Sequence, residues 1–220
     1  MTLVPDHRSF AAPAAKAARG RGRARDAYPL VKRGFDLGFA TLVLLPATLI
    51  TALVLVVVNP VHNPGPLLYW QKRMGHGCRP FKAVKFRTMT VTGRARRGPD
   101  DPVERDRITR LGNWLRRTRF DELPQILNVY RGEMSLIGPR PDCFRHALHF
   151  KRVIPEYRHR HAIRPGISGL AQIELGYAEA TEATVRKTRA DLAYIRHAGF
   201  RLDMWIVWRT ILTVAGGRGA

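Results

Sequence analysis

The feature that most constrains this chain is an uncharged run of twenty residues, FATLVLLPATLITALVLVVV, at positions 39–58. Wound as a helix, such a run is long enough to cross the hydrocarbon core of a bilayer, which takes about 20 residues. Two details complicate a plain transmembrane span. Pro46 lies inside the run, where it removes a backbone donor and crowds the preceding turn. Thr41, Thr48 and Thr51 offer hydroxyls to the backbone groups so released. The flanks also lack the expected charge asymmetry: residues 1–38 carry eight Lys/Arg and three Asp, and residues 59–97 carry nine Lys/Arg and no acid. Lys/Arg-rich flanks favour the cytoplasmic side, and here both flanks qualify. A helix that is broken at Pro46, enters the membrane and returns satisfies both observations. A kinked span satisfies the first, and the residues alone leave the two open.

Charge narrows the partners. Lys and Arg total 38 against 17 Asp and Glu, a net charge of +21 over 220 residues, so a polyanionic partner is expected: nucleic acid, an anionic lipid bilayer or phosphorylated substrates. Cys78 and Cys143 are too few for a disulfide scaffold or a thiolate metal cluster. Residues 1–30 are rich in Ala, Arg, Gly and Pro and short of large apolar side chains, which predicts a disordered basic tail. The domain plan is therefore a tail at 1–30, a membrane helix at 31–62, a catalytic domain at 63–215 and a short tail at 216–220.

Within the catalytic domain, residues 67–90 read as a β-hairpin turning at Gly75, Gly77 and Pro80. Residues 91–102 form a polar loop, and 103–118 an amphipathic helix with Ile108, Leu111 and Leu115 on one face and arginines opposite. That helix leads into Asp121–Glu122 of RRTRFDELPQILNVY. Asp121 has the position of an N-cap, with Pro124 in the first turn. Capping alone would account for two acids at a helix start. Their neighbours point further, because Arg116, Arg117 and Arg119 lie within five residues. Free amides and guanidinium groups together suit phosphate ligands, and a carboxylate held among them stays ionised, as a nucleophile must.

Arg140 stands between two prolines in GPRPD, and Arg164 precedes Pro165-Gly166 in IRPGISGLAQ. With Lys85 and Arg87 after a predicted strand, they suit a multiply charged phosphate ligand. No P-loop and no strand-linked GxGxxG is present, so the standard nucleotide-binding loops are unsupported. The histidines show no metal spacing. Any metal would rest on carboxylates, which points to Mg²⁺ bridging carboxylate and phosphate oxygens. Near the C-terminus, residues 201–214 carry Trp205, Trp208, Ile211 and Leu212 between arginines, a pattern shared by core helices and by helices lying in the membrane interface.

Taken in order, KRGFDLGFA, GPLLYWQKRMG, FKAVKFRTM, ITRLGNWLRRTRFDELPQILNVYRGEMSLIGPRP, RPGISGLAQ and LAYIRH…LDMWIV resemble the bacterial sugar transferases, the monotopic phosphoglycosyl transferases, from about Val31 to Leu212. The resemblance implies an α+β fold. It comprises a small monotopic membrane enzyme with an N-terminal re-entrant, Pro-broken helix, a cytoplasmic catalytic domain with a short hairpin, and amphipathic interfacial helices. It implies Mg²⁺-dependent transfer of a sugar-1-phosphate from a UDP-sugar donor to a polyprenyl (undecaprenyl) phosphate acceptor, releasing UMP through a covalent aspartyl-phosphosugar. That step would open a bacterial exopolysaccharide, O-antigen or glycoconjugate pathway at the cytoplasmic face of the inner membrane. By resemblance, Asp121 is the nucleophile and Glu122 its partner, the dyad associates with Mg²⁺, and Lys85, Arg87, Arg116, Arg140 and Arg164 line the phosphate and nucleotide region. Two departures stand out: Leu45-Pro46 replaces the more usual Ser-Pro at the break, and Arg119 occupies a position usually small or less charged.

Other classes fit less well. A membrane-tethered nucleic-acid-binding protein would account for the charge but leaves the acidic pair unexplained, and no recognised nucleic-acid motif appears, so nucleic acid is not an expected partner. An ordinary glycosyltransferase would be expected to carry an Asp-x-Asp metal motif, which is missing. The sequence leaves open the identity of the sugar and the oligomeric state, a homodimer among the options.

Overall fold

The computed structural model describes residues 22–91, 98–101, 104–175 and 181–216 of the chain. Its longest feature is helical from the first described residue. Helix α1 (Gly22–Phe39) runs into a π-helical segment, Ala40–Leu44, and then into α2 (Leu45–His62). The π segment directly precedes Pro46, and the Leu45 amide reaches back five residues to the Ala40 carbonyl. The helix thus adjusts its hydrogen bonding where proline withholds a donor. Thr48 donates to the Leu44 carbonyl at 2.6 Å, whereas Thr41 pairs instead with the Tyr130 hydroxyl at 2.9 Å.

The expected tail is corrected at its inner end. Residues 1–21 lie outside the described residues, but 22–30 are helical. Tyr28 Oη and Lys32 Nζ both donate to one oxygen of Asp203, at 2.8 and 2.7 Å, and so tie the start of α1 to α8 (Phe200–Ala215). Phe35 meets Phe200 edge-on, 5.8 Å between ring centroids.

Strands β1 (Leu68–Met74) and β2 (Pro80–Phe86) form the expected antiparallel hairpin, in a register pairing Leu68 with Phe86 and Met74 with Pro80. Side chains alternate across a strand, so Tyr69, Gln71 and Arg73 share one face with Phe81, Ala83 and Lys85. Helix α3 is shorter than the sequence suggests. It spans Arg110–Arg117, with the Thr109 hydroxyl capping the Gly112 amide at 2.9 Å. Ile108, whose spacing fitted the helical face, instead bridges Met89 as extended chain. Helix α4 (Ile126–Tyr130) leads to β3 (Ser135–Ile137), which pairs in parallel with β4 (Gly166–Ser168). A parallel pair needs a crossover, supplied here by α5 (Phe144–Val153). Helices α6 (Leu170–Leu175), α7 (Thr181–His197) and α8 complete the described chain. Mixed helix and sheet in this arrangement make the fold α+β.

The main core joins Phe81, Ala83, Ile126, Val129, Met134, Leu136, Ile137, Tyr194 and Ile206, and it takes in Ala40 together with Phe35, Phe39, Leu44 and Leu45 of the long helix. Farther along, Leu55 packs with Phe86 and Leu115. The long helix therefore lies against the rest of the described chain on both sides of Pro46. Its other face stays uncovered: Leu42, Leu49, Ile50, Leu53, Val56, Val57 and Val61 are exposed, and only 11% of its most apolar window is buried. The stretch Ala27–His62 is long and apolar enough to cross a membrane, and the protein interior does not account for that apolarity. On α8, Trp205, Trp208, Ile211 and Leu212 are likewise exposed.

Candidate active site

Arg119 adopts a left-handed backbone with φ of 63°, which turns the chain out of α3 into a 3₁₀ turn, Phe120–Gln125. This corrects the capping expectation. Asp121 sits inside that turn rather than ahead of an α-helix, and no side chain caps its start. The turn packs against β2 and buries both acids, Asp121 at 7% exposure and Glu122 at 5%.

The two carboxylates live differently. Glu122 accepts from Lys85 Nζ at 2.5 Å and from Arg140 through both terminal nitrogens, NH1 at 2.9 Å. Such a two-pronged guanidinium–carboxylate contact is among the stronger polar contacts in proteins. Burial alone would raise the Glu122 pKa, but Arg140 and Lys85 more than reverse it and hold the carboxyl well below its usual range. The Asp121 carboxylate makes no hydrogen bond among the described residues, and its nearest cation is Lys85 Nζ at 3.8 Å. Burial pushes its pKa up, Lys85 opposes that rise and the neighbouring Glu122 charge adds to it. Glu122 is clamped and ionised, while Asp121 keeps its oxygen lone pairs uncommitted.

Arg140 owes its position to a close backbone junction. A Cβ on Gly138 would lie 2.6 Å from the Arg164 carbonyl, and one on Gly166 would lie 2.1 Å from the Gly138 amide. Only glycine lets the GPRP loop and the RPGISG segment approach so closely. The loop is further pinned from beneath by Arg160. That side chain is fully buried, donates to the Arg140 carbonyl at 2.8 Å, and pairs with Asp142 and with Asp191, the latter at 2.6 Å. Asp142 also takes Lys187 at 2.5 Å and the Tyr157 hydroxyl at 2.7 Å.

Among the residues singled out in the sequence, the structure gathers Asp121, Glu122, Lys85 and Arg140 into one constellation. Arg116 donates through Nε to Thr88 at 2.9 Å and acts on Asp121 at longer range. Arg119 is felt electrostatically by Glu122. Arg87 is placed elsewhere: buried, it spends its donors on Asn63, the Pro66 carbonyl and the Met89 carbonyl, bracing the chain after α2. The Arg164 side chain is exposed and makes no hydrogen bond among the described residues. Sequence reading missed Arg73, which clusters with Lys85, Ala83, Gln125, Arg140 and Pro141. Its one sequence signal is strand alternation, which puts it two cross-strand pairs from Lys85 on the same face.

No group of three or more His, Cys, Asp or Glu side chains is gathered for a metal among the described residues. Mg²⁺ needs less, because it commonly rests on one or two carboxylates, substrate phosphates and water. The uncommitted Asp121 carboxylate beside Glu122 fits that pattern.

The structure thus sets a buried acidic pair ringed by arginine and lysine beside a helix with an uncovered apolar face. The sequence profile of the bacterial sugar transferases matches residues 27–217. The chain is 41% identical over 194 residues to a UDP-N-acetylgalactosamine-undecaprenyl-phosphate N-acetylgalactosaminephosphotransferase of Aeromonas hydrophila, covering 88% of this chain and 45% of that protein. It is 37% identical to a UDP-glucose:undecaprenyl-phosphate glucose-1-phosphate transferase of Escherichia coli strain K12, covering 83% and 39% respectively. It is also 38% identical to the exopolysaccharide production protein PSS of Rhizobium leguminosarum bv. phaseoli, covering 86% of this chain and 98% of that one. The chain thus spans less than half of the first two relatives and nearly all of the third. It belongs to the bacterial sugar transferase family.

Proposed function

We propose that this protein transfers a sugar-1-phosphate from a UDP-sugar to a polyprenyl phosphate and releases UMP. The observation that carries the reading is the asymmetry of the dyad. An Asp121 oxygen attacks the phosphorus that bears the sugar, the bond from that phosphorus to the UMP oxygen breaks, and UMP departs with the electron pair. An oxygen of the acceptor phosphate then attacks the aspartyl phosphorus, the acyl-phosphate bond breaks, and Asp121 returns as carboxylate. Two displacements replace one encounter between two polyanions. Glu122 holds Arg140 and Lys85 in place, so their charge is positioned before the phosphoryl group arrives. Mg²⁺, when bound by the dyad carboxylates, would supply charge neutralisation on the phosphates.

The printed names of the relatives support this donor and acceptor. The long helix supports a location at the membrane surface. Because it contacts the catalytic domain on both sides of Pro46, a straight span would carry part of that domain into the hydrocarbon. A re-entrant course, with both ends and the active site on the cytoplasmic face of the bacterial inner membrane, avoids this.

The test separates the half-reactions. With UDP-sugar and Mg²⁺ but no acceptor, the enzyme is expected to release UMP once, in an amount no greater than itself. Acid-quenched enzyme should carry a phosphosugar on the peptide containing Asp121. Asp121→Asn, close in size, should fold and give neither. A full adduct on that variant would move the nucleophile elsewhere.

A further inference from the structure

Arg73 is not explained by the dyad. Its side chain clusters with Lys85 and Arg140, yet its acceptors are all neutral: the Gln71 side-chain oxygen, at 2.9 Å from Nε and 2.5 Å from NH2, and the Pro141 carbonyl, at 2.5 Å from NH1. No carboxylate lies within ion-pair distance among the described residues. The nearby acids are spoken for, Glu122 by Lys85 and Arg140, and Asp142 by Lys187 and Arg160. A largely buried cation with only neutral partners, beside two other cations, is costly unless something anionic joins it. Burial and then Arg140 lower the Arg73 pKa, while Asp142 and Glu122 offset only part of that from beyond ion-pair distance.

Resting on the proposed transfer, we infer that Arg73 binds the second phosphate of the nucleoside diphosphate donor, the one that leaves with UMP. Lys85 and Arg140, paired to Glu122, would face the phosphate attacked by Asp121, and Arg73 shares the Lys85 face of the hairpin two same-face pairs along. Gln71 holds the guanidinium by Nε and one NH2 proton. The remaining NH1 and NH2 protons are left for phosphate oxygens. Charge placed on the leaving phosphate assists only the step in which the bond to UMP breaks, and in reverse the step in which it forms. Discharge of the phosphosugar to the acceptor involves no nucleotide and should not depend on Arg73.

The experiment measures each half-reaction in Arg73→Gln and Arg73→Lys, with UDP-N-acetylgalactosamine and UDP-glucose as donors and undecaprenyl phosphate as acceptor. Single-turnover UMP release, and exchange of labelled UMP into donor, should slow at least tenfold in Arg73→Gln and less in Arg73→Lys. Enzyme loaded slowly to completion, freed of nucleotide and then given acceptor should discharge at the wild-type rate. Equal slowing of both half-reactions would overturn the assignment, showing that Arg73 only props the Arg140 loop through Pro141. Unchanged UMP release would overturn it outright. If Arg73→Gln fails to fold, Arg73→Lys decides between the same outcomes, since it keeps the charge and loses the fork. Failure of the underlying transfer reading would show separately, as no UMP release and no Asp121 adduct in the wild type.

Discussion

His161 packs its ring against Tyr157, 5.4 Å between centroids, and lies beside the fully buried Arg160. Burial first, and then the Arg160 charge, bring its pKa down from 6.5 to about 4. The folded protein therefore holds His161 neutral where an unfolded chain would take up a proton. Stability should fall as pH drops below 6.5, with the loss complete near pH 4. At pH 5 the linkage amounts to about 2 kcal/mol. Thermal unfolding of the wild type between pH 7 and pH 5 should show this loss, and His161→Gln should show a smaller one. Nothing in the sequence marked His161 as buried, because that depends on a network drawn from positions 142, 157, 160, 187 and 191. The acidic pair was legible, since adjacent acids among arginines are a local pattern. Arg73 was not, because the neutrality of its partners is a matter of which groups meet it in space.

At the level of elements, the hairpin was readable from alternation and its turn residues, and the start of α3 was not. Ile108 fits a helical face by spacing, but an extended pairing with Met89 claims it, and Thr109 begins the helix after it. The junction between β3 and β4 yields a sharper expectation. Gly138 and Gly166 hold two backbones together where a Cβ would collide with main-chain atoms that have nowhere to move. Gly138→Ala should cost about 1–3 kcal/mol of stability, as overpacking usually does. It should also slow transfer in the surviving folded fraction, because Arg140 lies two residues further along. Denaturant unfolding together with activity per folded molecule would check both parts. Normal activity with lowered stability would mean that the Arg140 loop is set by Arg160 alone.

For the whole molecule, a charge of +21 and an uncovered apolar helix act together. The sequence left a span and a re-entrant helix open because proline suits either course and the flank-charge rule, which favours the second, has exceptions. Contact of the helix with the catalytic domain on either side of Pro46 adds a physical reason to favour the second. Single-cysteine variants at Lys32 and Lys72, labelled with an impermeant reagent in intact and in opened cells, should both react only after opening. Labelling of position 32 from outside intact cells would establish a span. Pro46→Ala, which restores the missing donor, should increase any outward labelling.

The exposed face of the long helix also changes the unit in which an acceptor of this kind is counted. A protein seated on the bilayer meets a lipid-borne partner by lateral diffusion, so the governing quantity is molecules per unit of membrane area rather than per litre. Adding inert lipid at constant volume thins both partners on the surface and lowers their encounter rate, although every bulk concentration stays the same. For the proposed reaction, the cell could throttle the second displacement simply by making more membrane, and the enzyme would then wait in its loaded form, since the first displacement, although fed by a soluble donor, needs a free Asp121 for every turnover.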